Sequence, residues 1–437
     1  MRKNLFKKVL ALTLASTMAF SMAGCGSKGG SSDAKNDDGT ITLNVWHQWS
    51  NDTNELKSKY EEAVKAYEKE NPGVKIKTET LDTEAYKTKI NAEFAGDAKG
   101  IDVFYWWGAG TAKKLVDAGK VMALDDYVTD DVKSKILEGS TSAFEFDGKL
   151  YSVPMFSWYM TLFCNKTMFD KAGATLPTTY DELVDAVKKL KTLDGVTPMA
   201  AGAKDGWNAA FVYQALALRE VGATGVNEML SGKKEFGDEG FKKAAQKVSD
   251  LYEMGAFGNN PLEQGNDDAN AAFENGKAAM RLMGSWFANN VYTDDAATVK
   301  PEEVVALKIP TIADGKGEAT DYCGGFVESF WVNNNTKYKE EAAKFCIYIN
   351  EKMGVASYET GSGFSGWTTP ADESNLNPLF IQIKDLLSEG KQGVLAWDTS
   401  LESEPAAVHN EQVQTLFADG ADIDAFIDEH KAAINGK

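Results

Sequence analysis

The chain has 437 residues, of which 65 are acidic and 46 basic, and its formal net charge at pH 7 is −19. A negative charge spread along the sequence makes nucleic acid a poor partner. The length exceeds the size at which one hydrophobic core usually stops growing, and it predicts two lobes. With three histidines and four cysteines in all, we expect no metal site, no cofactor and no disulfide framework.

The N-terminus predicts an exported and anchored protein. Residues 1–24 have the pattern of a secretory signal peptide, since basic residues precede an apolar stretch too short to span a bilayer. The small residues Ala23 and Gly24 stand before Cys25, which resembles the lipobox of bacterial lipoproteins, where the cysteine is diacylated. Two acyl chains suffice for stable anchoring. Residues 25–39 then predict a flexible tether, and a simple secreted protein is the alternative.

The first block of the mature chain alternates strands with helices. Apolar periodicity predicts strands at 40–46, 74–81 and 101–107 and helices at 54–70, 83–95 and 111–118. Such alternation predicts a parallel sheet with right-handed crossovers. Ligands of open α/β sheets bind beyond the carboxyl ends of the strands. The candidate ligand contacts at these ends are therefore His47-Gln48-Trp49 and Trp106-Trp107.

A second block follows the turn and strand of "DGKLYSVP". A capping box from Thr179 to Glu182 opens a helix, and further helices are predicted at 208–220, 238–254 and 268–275. The segment "GKAAMRLMGSW" is typical of a strand that ends at Trp286. Gly324-Gly325 then precede a new apolar strand, after which helices run to the C-terminus.

Motifs for catalysis are not evident. "GAGTAKK" (108–114) lacks the spacing of a phosphate-binding loop, "GSGFSGW" lacks that of a nucleophile elbow, and HExxH does not occur. With 65 acidic residues, many pairs of carboxylates could in principle serve glycoside hydrolysis, and the sequence singles out none of them. We therefore expect a binding protein and not an enzyme, with a surface-anchored glycosidase as an alternative.

Most tryptophans fall at strand ends or in adjoining loops, beside short polar residues. Flat rings next to hydrogen-bonding groups suit a pyranose, whose C–H face is apolar and whose hydroxyls need in-plane partners. The pattern comprises Trp49, Trp106, Trp107, Trp158, Trp207, Trp286, Trp367 and Trp397. It predicts a carbohydrate ligand, with core packing as the alternative for each ring.

In this order, several stretches resemble the lipid-anchored solute-binding proteins of carbohydrate ABC importers, of the maltodextrin-binding type. They are "ITLNVWHQWS", "YEKENPGVKIK", "IDVFYWWG", "LVDAGKVMALDDYV", "AAFENGKAAMRLMGSW" and "AWDTS". The resemblance implies a periplasmic-binding-protein-like α/β fold with two discontinuous lobes, a ligand cleft between them, and delivery to a membrane permease. Lobe one would comprise 40–153 and 319–358, and lobe two 154–318 and 359–437.

Matched by position, the resemblance also implies ligand-binding residues. They are His47, Gln48, Trp49, Trp106, Trp107, Trp158, Tyr159, Trp207, Trp286, Gly325, Trp397 and Asp398. Trp286 and Trp397 would be aromatic platforms, and His47 a neutral hydrogen-bond donor or a structural residue. Gly324-Gly325 would lie near a hinge, with a bare tight turn as the alternative interpretation of Gly325.

The acidic residues that grip hydroxyls in the maltodextrin type have no clear counterpart at Trp107 to Thr111 or at Trp158. This departure favours another sugar, and the number of rings favours an oligosaccharide. A receptor of the same fold for a non-sugar solute, such as a glycerol phosphoester, is the alternative. We expect a monomer on the outer face of the cytoplasmic membrane.

Overall fold

The structure, a computed structural model, describes residues 39–52, 54–293 and 297–436. The predicted signal peptide (1–24), the lipidation site Cys25 and all but the last residue of the predicted tether lie outside these residues. In the part of the chain that is described, no helix combines the length and the apolar character that crossing a membrane requires.

The chain folds into a mixed α/β architecture. Its strands are β1 (Ile41–His47), β2 (Val74–Thr80), β3 (Val103–Trp107), β4 (Glu145–Phe146), β5 (Lys149–Leu150), β6 (Phe156–Asn165), β7 (Thr197–Ala200), β8 (Ala278–Gly284), β9 (Val304–Leu307), β10 (Asp321–Val332), β11 (Phe364–Ser365) and β12 (Gln392–Val394).

Helices alternate with these strands along the chain. They are α1 (Glu55–Glu70), α2 (Thr83–Ala95), α3 (Ala109–Asp117), α4 (Asp130–Lys135), α5 (Lys166–Ala172), α6 (Tyr180–Leu190), α7 (Gly206–Leu230), α8 (Glu239–Glu253), α9 (Asn266–Glu274), α10 (Phe287–Thr293), α11 (Lys339–Glu359), α12 (Pro378–Ser388), α13 (Trp397–Ser400), α14 (Ser403–Thr415) and α15 (Ile423–Asn435).

Local sequence accounts for many of these boundaries. Side chains of Asn54 and Asp82 cap α1 and α2, and the capping box predicted from Thr179 to Glu182 is confirmed at α6. The helix predicted at 208–220 extends to Leu230, because helical turns resume after a kink at Gly222, whose φ is +80°. The alternation of strands and helices predicted for the first block is confirmed.

One sheet runs through the molecule in the order β2-β1-β3-β10-β6-β8-β7. β1 pairs in parallel with β2 and β3, as the alternation predicts, so the carboxyl ends of β1 and β3 lie at the same edge. β10 is antiparallel to both β3 and β6. The whole sheet is therefore mixed, because β10 returns to the first block from the second.

Two hydrophobic cores lie on either side of this crossing. The lobe-one core includes Val45, Phe104 and Trp331, and the lobe-two core includes Phe163 and Phe241. The fold thus has two lobes, and four buried core residues pack in the lobe opposite to the one that the predicted limits give them. Met155, Phe156 and Trp367 pack in the lobe-one core and Cys323 in the lobe-two core.

The three cysteines within the described residues, Cys164, Cys323 and Cys346, are buried and unpaired, as predicted.

β10 carries Gly324 and Gly325 where it passes between the lobes. Their φ angles are +136° and +150°. A Cβ on Gly324 would lie 2.0 Å from the Trp158 carbonyl oxygen, and one on Gly325 would lie 2.6 Å from Leu395 Cδ2. Both the backbone conformation and the close packing therefore require glycine at this crossing.

Candidate functional site

The structure brings four of the predicted tryptophans together where the lobes meet. Trp107 ends β3 of lobe one, Trp158 lies on β6, Trp207 is in the first turn of α7, and Trp286 follows β8. The Trp158 ring centroid lies 5.0 Å from that of Trp286 and 5.3 Å from that of Phe211. Phe211 also contacts Trp207 at 5.3 Å. We call Trp107, Trp158, Trp207, Phe211 and Trp286 the aromatic cluster.

Lys87 of α2 joins the two halves of this cluster. Its Nζ lies 5.1 Å from the ring centroid of Trp107 in lobe one and 5.7 Å from that of Trp207 in lobe two. The same amino group is paired with Glu84 Oε1 at 3.1 Å. Rings from both lobes therefore lie close to one cation, in an arrangement that favours cation–π attraction.

Several buried polar atoms have no hydrogen-bond partner among the described residues. Trp158 Nε1 and Trp207 Nε1 belong to the aromatic cluster, and further examples are Gln48 Oε1, His47 Nε2 and Asn410 Oδ1. Leaving a buried donor or acceptor unpaired costs about 1–3 kcal/mol, so such atoms call for water or a ligand. Asn410 belongs with the Trp207 end of the site, because a Cβ built on the adjacent Gly206 would lie 2.8 Å from the Asn410 Cβ.

His47 is a neutral donor in this structure. Its Nδ1 accepts a hydrogen bond from the Trp49 backbone N–H at 3.2 Å, which assigns the ring proton to Nε2. Burial, together with the charge of Lys57, lowers the pKa of His47 to about 3. The rings of His47 and Trp49 pack against Tyr60 in the lobe-one core, at centroid distances of 4.2 and 6.3 Å.

A buried arginine supports the lobe-two side of the site. The Arg281 side chain is 1 % exposed and donates to Asn208 Oδ1, Asn266 Oδ1 and Asn270 Oδ1 at 2.8, 3.1 and 3.1 Å. Burial lowers the pKa of Arg281 to about 9, so the guanidinium keeps its charge at neutral pH. These bonds fix the starts of α7 and α9, and α7 carries Trp207 and Phe211.

The Trp286 ring is placed by a glycine. A Cβ built on Gly284 would lie 2.0 to 2.3 Å from three atoms of the Trp286 ring, so the indole folds back directly over the Gly284 backbone. Trp286 remains half-buried, and its ring faces Trp158 and Trp207. The sequence "MGSW" thus determines the direction of this side chain.

Glu328 is a site residue that sequence reasoning missed. It lies on β10 opposite Trp107 of β3, just after a register shift, and is 8 % exposed. Burial raises the pKa of Glu328 to about 7, although Tyr105, Trp107 and Lys87 act in the opposite direction. The sequence feature that could have identified Glu328 is a charged residue inside the apolar run "GGFVESFWV".

Other predicted residues lie away from the cluster. Tyr159 follows Trp158 on β6 and points to the opposite face of the sheet, where it packs against Tyr322 and Phe364 at 5.2 and 5.3 Å. Trp397 is 1 % exposed in the lobe-two core, where it stacks on His409 at 5.0 Å. Neither position brings a side chain to the aromatic cluster.

Trp106 and Gly325 lie next to the cluster. The Trp106 ring is 5 % exposed and lies 5.4 Å from that of Trp107. Gly325 pairs with Trp158 in the β10–β6 register, and the space beside its Cα is taken by Leu395. Trp106 thus packs beside Trp107, and Gly325 lies opposite Trp158 in the sheet.

A direct contact joins the lobes beside the cluster. Thr111 Oγ1 of α3 donates to the backbone oxygens of Asp398 and Thr399, both at 3.3 Å. A Cβ on Gly110 would lie 2.2 Å from the Ser400 backbone oxygen, so α3 and α13 touch backbone to backbone. The half-buried Asp398 is thus held at the boundary between the lobes.

The chemistry of the site is that of recognition. It combines aromatic faces, indole donors, amide acceptors and a carboxyl group. Among residues 39–52, 54–293 and 297–436, no group of three or more His, Cys, Asp or Glu side chains is arranged to hold a metal ion.

Comparison with known proteins gives consistent matches. The profile of the family described as bacterial extracellular solute-binding protein matches residues 50–355. The Multiple sugar-binding protein of Streptococcus mutans is 24 % identical over 368 residues, which are 81 % of this chain and 80 % of that protein.

Solved structures agree with this match. One, from work on xylan utilization by the thermophilic bacterium Caldanaerobius polysaccharolyticus, is 36 % identical, has a TM-score of 0.86, and covers 90 % of this chain and 100 % of its own. A chitin oligosaccharide binding protein shares the fold, with 22 % identity, a TM-score of 0.81, and coverage of 91 % of this chain and 98 % of its own.

Proposed function

Because the chain belongs to the family of bacterial extracellular solute-binding proteins, we propose that it captures an oligosaccharide for an ABC importer. The observation that carries this proposal is the aromatic cluster, in which the buried indole N–H groups of Trp158 and Trp207 have no hydrogen-bond partner within the part of the chain that the structure describes. One ring from each lobe, Trp107 and Trp207, lies close to the Lys87 amino group.

The cluster suits a sugar ring chemically. The C–H face of a pyranose packs on an indole, and two or three such contacts add about 0.5–1.5 kcal/mol each beyond burial. The indole N–H groups of Trp158 and Trp207 can donate to sugar oxygens, and the amide oxygens of Gln48 and Asn410 can accept from hydroxyls. Closure of the two lobes around the β10 crossing would enclose the ligand.

We take a xylan fragment as the first candidate ligand. The 36 % identical structure comes from work on xylan utilization, and its likeness extends over 90 % of this chain. Xylose units carry no hydroxymethyl group, so both faces of a xylan chain are open to stacking on tryptophan.

The remaining parts of the proposal concern location and partners. Cys25 would carry two acyl chains and hold the protein, as a monomer, on the outer face of the cytoplasmic membrane. A transmembrane permease would receive the ligand from the closed form. The protein itself would catalyse no reaction.

A phosphoester ligand is less well supported. An anion would require an available cation, and the Lys87 amino group is already paired with Glu84 at 3.1 Å. Glu328 and Asp398 would also lie near such a ligand, because Lys87 is close enough to lower the pKa of each. The charges thus favour a sugar over a phosphoester.

Titration calorimetry and tryptophan fluorescence test the proposal. The purified protein would be titrated with xylotriose, cellotriose, maltotriose, raffinose, N-acetylchitotriose and glycerol 3-phosphate. We expect at least one oligosaccharide to bind with a Kd on the order of micromolar, which corresponds to roughly −8 kcal/mol. Binding of glycerol 3-phosphate with no response to any sugar would contradict the proposal.

Two controls accompany these titrations. Mass spectrometry of the sugar after hours of incubation detects hydrolysis, which would instead favour the glycosidase alternative. Trp46→Phe is the matched control for fluorescence, because the Trp46 ring lies 4.5 Å from Lys89 Nζ, on the far side of β1 from His47. It should leave the ligand-induced signal unchanged.

A further inference from the structure

Carboxyl groups from both sides of the lobe boundary lie beside the aromatic cluster. Glu328 of β10 is opposite Trp107 of β3 and is 8 % exposed. Asp398 of α13 is half-buried, and its backbone oxygen accepts a hydrogen bond from Thr111 Oγ1 of lobe one at 3.3 Å. Both carboxyl groups are close enough to Lys87 for its charge to lower their pKa values, and Lys87 lies beside the rings of Trp107 and Trp207, so a ligand between these rings would lie near both.

Lys87 is the cation near these carboxyl groups, and three acidic residues share its charge. Its amino group is paired with Glu84 at 3.1 Å and also attracts Glu328 and Asp398. Asp205, at the start of α7, differs from them because Arg281 and Lys204 face it in addition to Lys87. The charge of Asp205 is thus better compensated than those of Glu328 and Asp398.

Ionised carboxyl groups impose a chemical requirement on a ligand. A carboxylate only accepts hydrogen bonds, so a partner in a water-poor site must supply donors. A neutral sugar ring does so through its hydroxyls. A uronic acid unit brings a second acceptor-only group with the same charge, and like charges in a partly buried site repel strongly.

We infer that Glu328 and Asp398 make the cleft selective for uncharged oligosaccharides and reject chains whose bound unit carries a carboxylate. This inference rests on the proposed function and names the ligand class more narrowly. It makes Glu328 a specificity residue that accepts hydrogen bonds from ligand hydroxyls. For xylan, the favoured fragments would be those without glucuronic acid substituents.

The selectivity should depend on pH. Glu328 is faced by Tyr105 and Trp107 of β3 and by Lys87 of α2, and burial raises its pKa to about 7. As the pH rises through 7, a larger fraction of Glu328 is ionised. Repulsion of a ligand carboxylate then grows, while a neutral ligand meets no such repulsion. Discrimination should therefore be stronger at pH 8 than at pH 6.

The test uses three related probes in titration calorimetry. They are xylotriose, the aldotriouronic acid in which glucuronic acid is joined to xylobiose, and the same trisaccharide after chemical reduction of its carboxyl group to an alcohol. At pH 8 we expect the reduced trisaccharide to bind at least tenfold more tightly than the acid, with a smaller ratio at pH 6. The reduced form retains the shape of the acid, so the comparison isolates charge.

Variants then assign the effect to its residues. Glu328→Gln should reduce the tenfold ratio to about threefold or less and remove its dependence on pH, and Asp398→Asn should lower the ratio to a smaller extent. Glu138→Gln, which removes an exposed carboxyl group of lobe one, is the charge-matched control and should leave the ratio unchanged. Thermal melts of all three variants confirm folding.

The outcomes separate the inference from the proposed function. If xylotriose and the reduced trisaccharide bind but the acid binds within threefold of them, the inference is wrong and the sugar receptor stands. The inference also fails if the reduced form is rejected as strongly as the acid, because shape would then explain selection. If no oligosaccharide binds at all, the proposed function and the inference fall together.

Discussion

Two regions of lobe two differ in how deeply they bury a tryptophan. One is the end of β8, at Trp286, and the other is the short helix α13, at Trp397. Both rings are predicted as platforms for a ligand. Trp286 is half-buried and faces Trp158 and Trp207 at the lobe boundary. Trp397 is 1 % exposed and stacks on His409 within the lobe-two core.

The difference lies in what each backbone position offers the ring. At Trp286, the missing side chain of Gly284 lets the indole fold over the strand towards the aromatic cluster. At Trp397, a buried chain of polar groups supports the inner face: Gln214 bonds His409 at 3.0 Å, and His409 bonds His430 at 2.9 Å. A tryptophan at the end of an element thus reaches the lobe boundary only if its neighbours leave room on that side.

The largest expected effect is the loss of stability in Trp397→Ala. Removing a fully packed indole from a core leaves a cavity, and we expect the free energy of unfolding to fall by about 3–5 kcal/mol. Urea denaturation followed by circular dichroism measures this change. If Trp397→Ala lost ligand affinity and kept its melting temperature, Trp397 would be a platform after all.

Acid should weaken the region around Trp397 next most strongly. Burial lowers the pKa of His430 to about 4, from 6.5, and holds that of His409 well below its usual value. The unfolded chain therefore binds more protons than the folded one between pH 6.5 and 4. Stability should fall as the pH drops through this window, by up to roughly 3 kcal/mol from His430.

Urea midpoints measured between pH 7 and pH 4 show this dependence. His430→Gln should flatten the decline, since the replacement does not titrate. His47, in lobe one, has a similarly low pKa and is expected to contribute to the remaining slope. An unchanged decline in His430→Gln would show that the histidine pair does not control acid stability.

Trp286→Ala should have the reverse pattern of Trp397→Ala. The ring is half-buried at the lobe boundary, so the melting temperature should change little, whereas the loss of an aromatic anchor should cost about 2 kcal/mol of binding, or about 30-fold in Kd. Calorimetric titration with the best oligosaccharide measures it. Equal losses of stability and affinity would place Trp286 with the core residues.

Gly284→Ala should have the smallest effect and is the most specific test. The added Cβ would lie 2.0 Å from the Trp286 ring, so the ring must move. We expect a loss of affinity of up to about tenfold, or ~1.4 kcal/mol, with a shifted indole emission. Because a displaced ring is the cause, Gly284→Ala should have no further effect in a Trp286→Ala background.

Much of the fold could be predicted from the sequence because it rests on local signals. Apolar alternation located β1 and β3, and side-chain caps located α1 and α6. The antiparallel insertion of β10 between β3 and β6 could not be predicted in the same way, because strand pairing depends on residues far apart in sequence. The lobe limits depended on the same pairing.

The sequence indicated which residue types lie at the lobe boundary, and it indicated the direction of their side chains less well. Trp107, Trp158, Trp207 and Trp286 converge, whereas Tyr159 lies on the opposite face of β6 from Trp158. Alternation along a strand is itself a local rule, and it allows only one of two adjacent residues to face a ligand. Trp397 could not be placed this way, because the groups that bury it, including His409 and Tyr213, come from other helices.

The bare contact between Gly110 and the carbonyl of Ser400 has a consequence for the transport cycle. The two backbones touch with no side chain between them. Any larger residue at position 110 would therefore collide with the Ser400 backbone and prevent the two lobes from closing completely. A variant of this kind would still stack a sugar on its aromatic rings, but it would not present the fully closed conformation to the permease. A single added methyl group would then allow ligand binding while preventing transfer of the ligand to the permease.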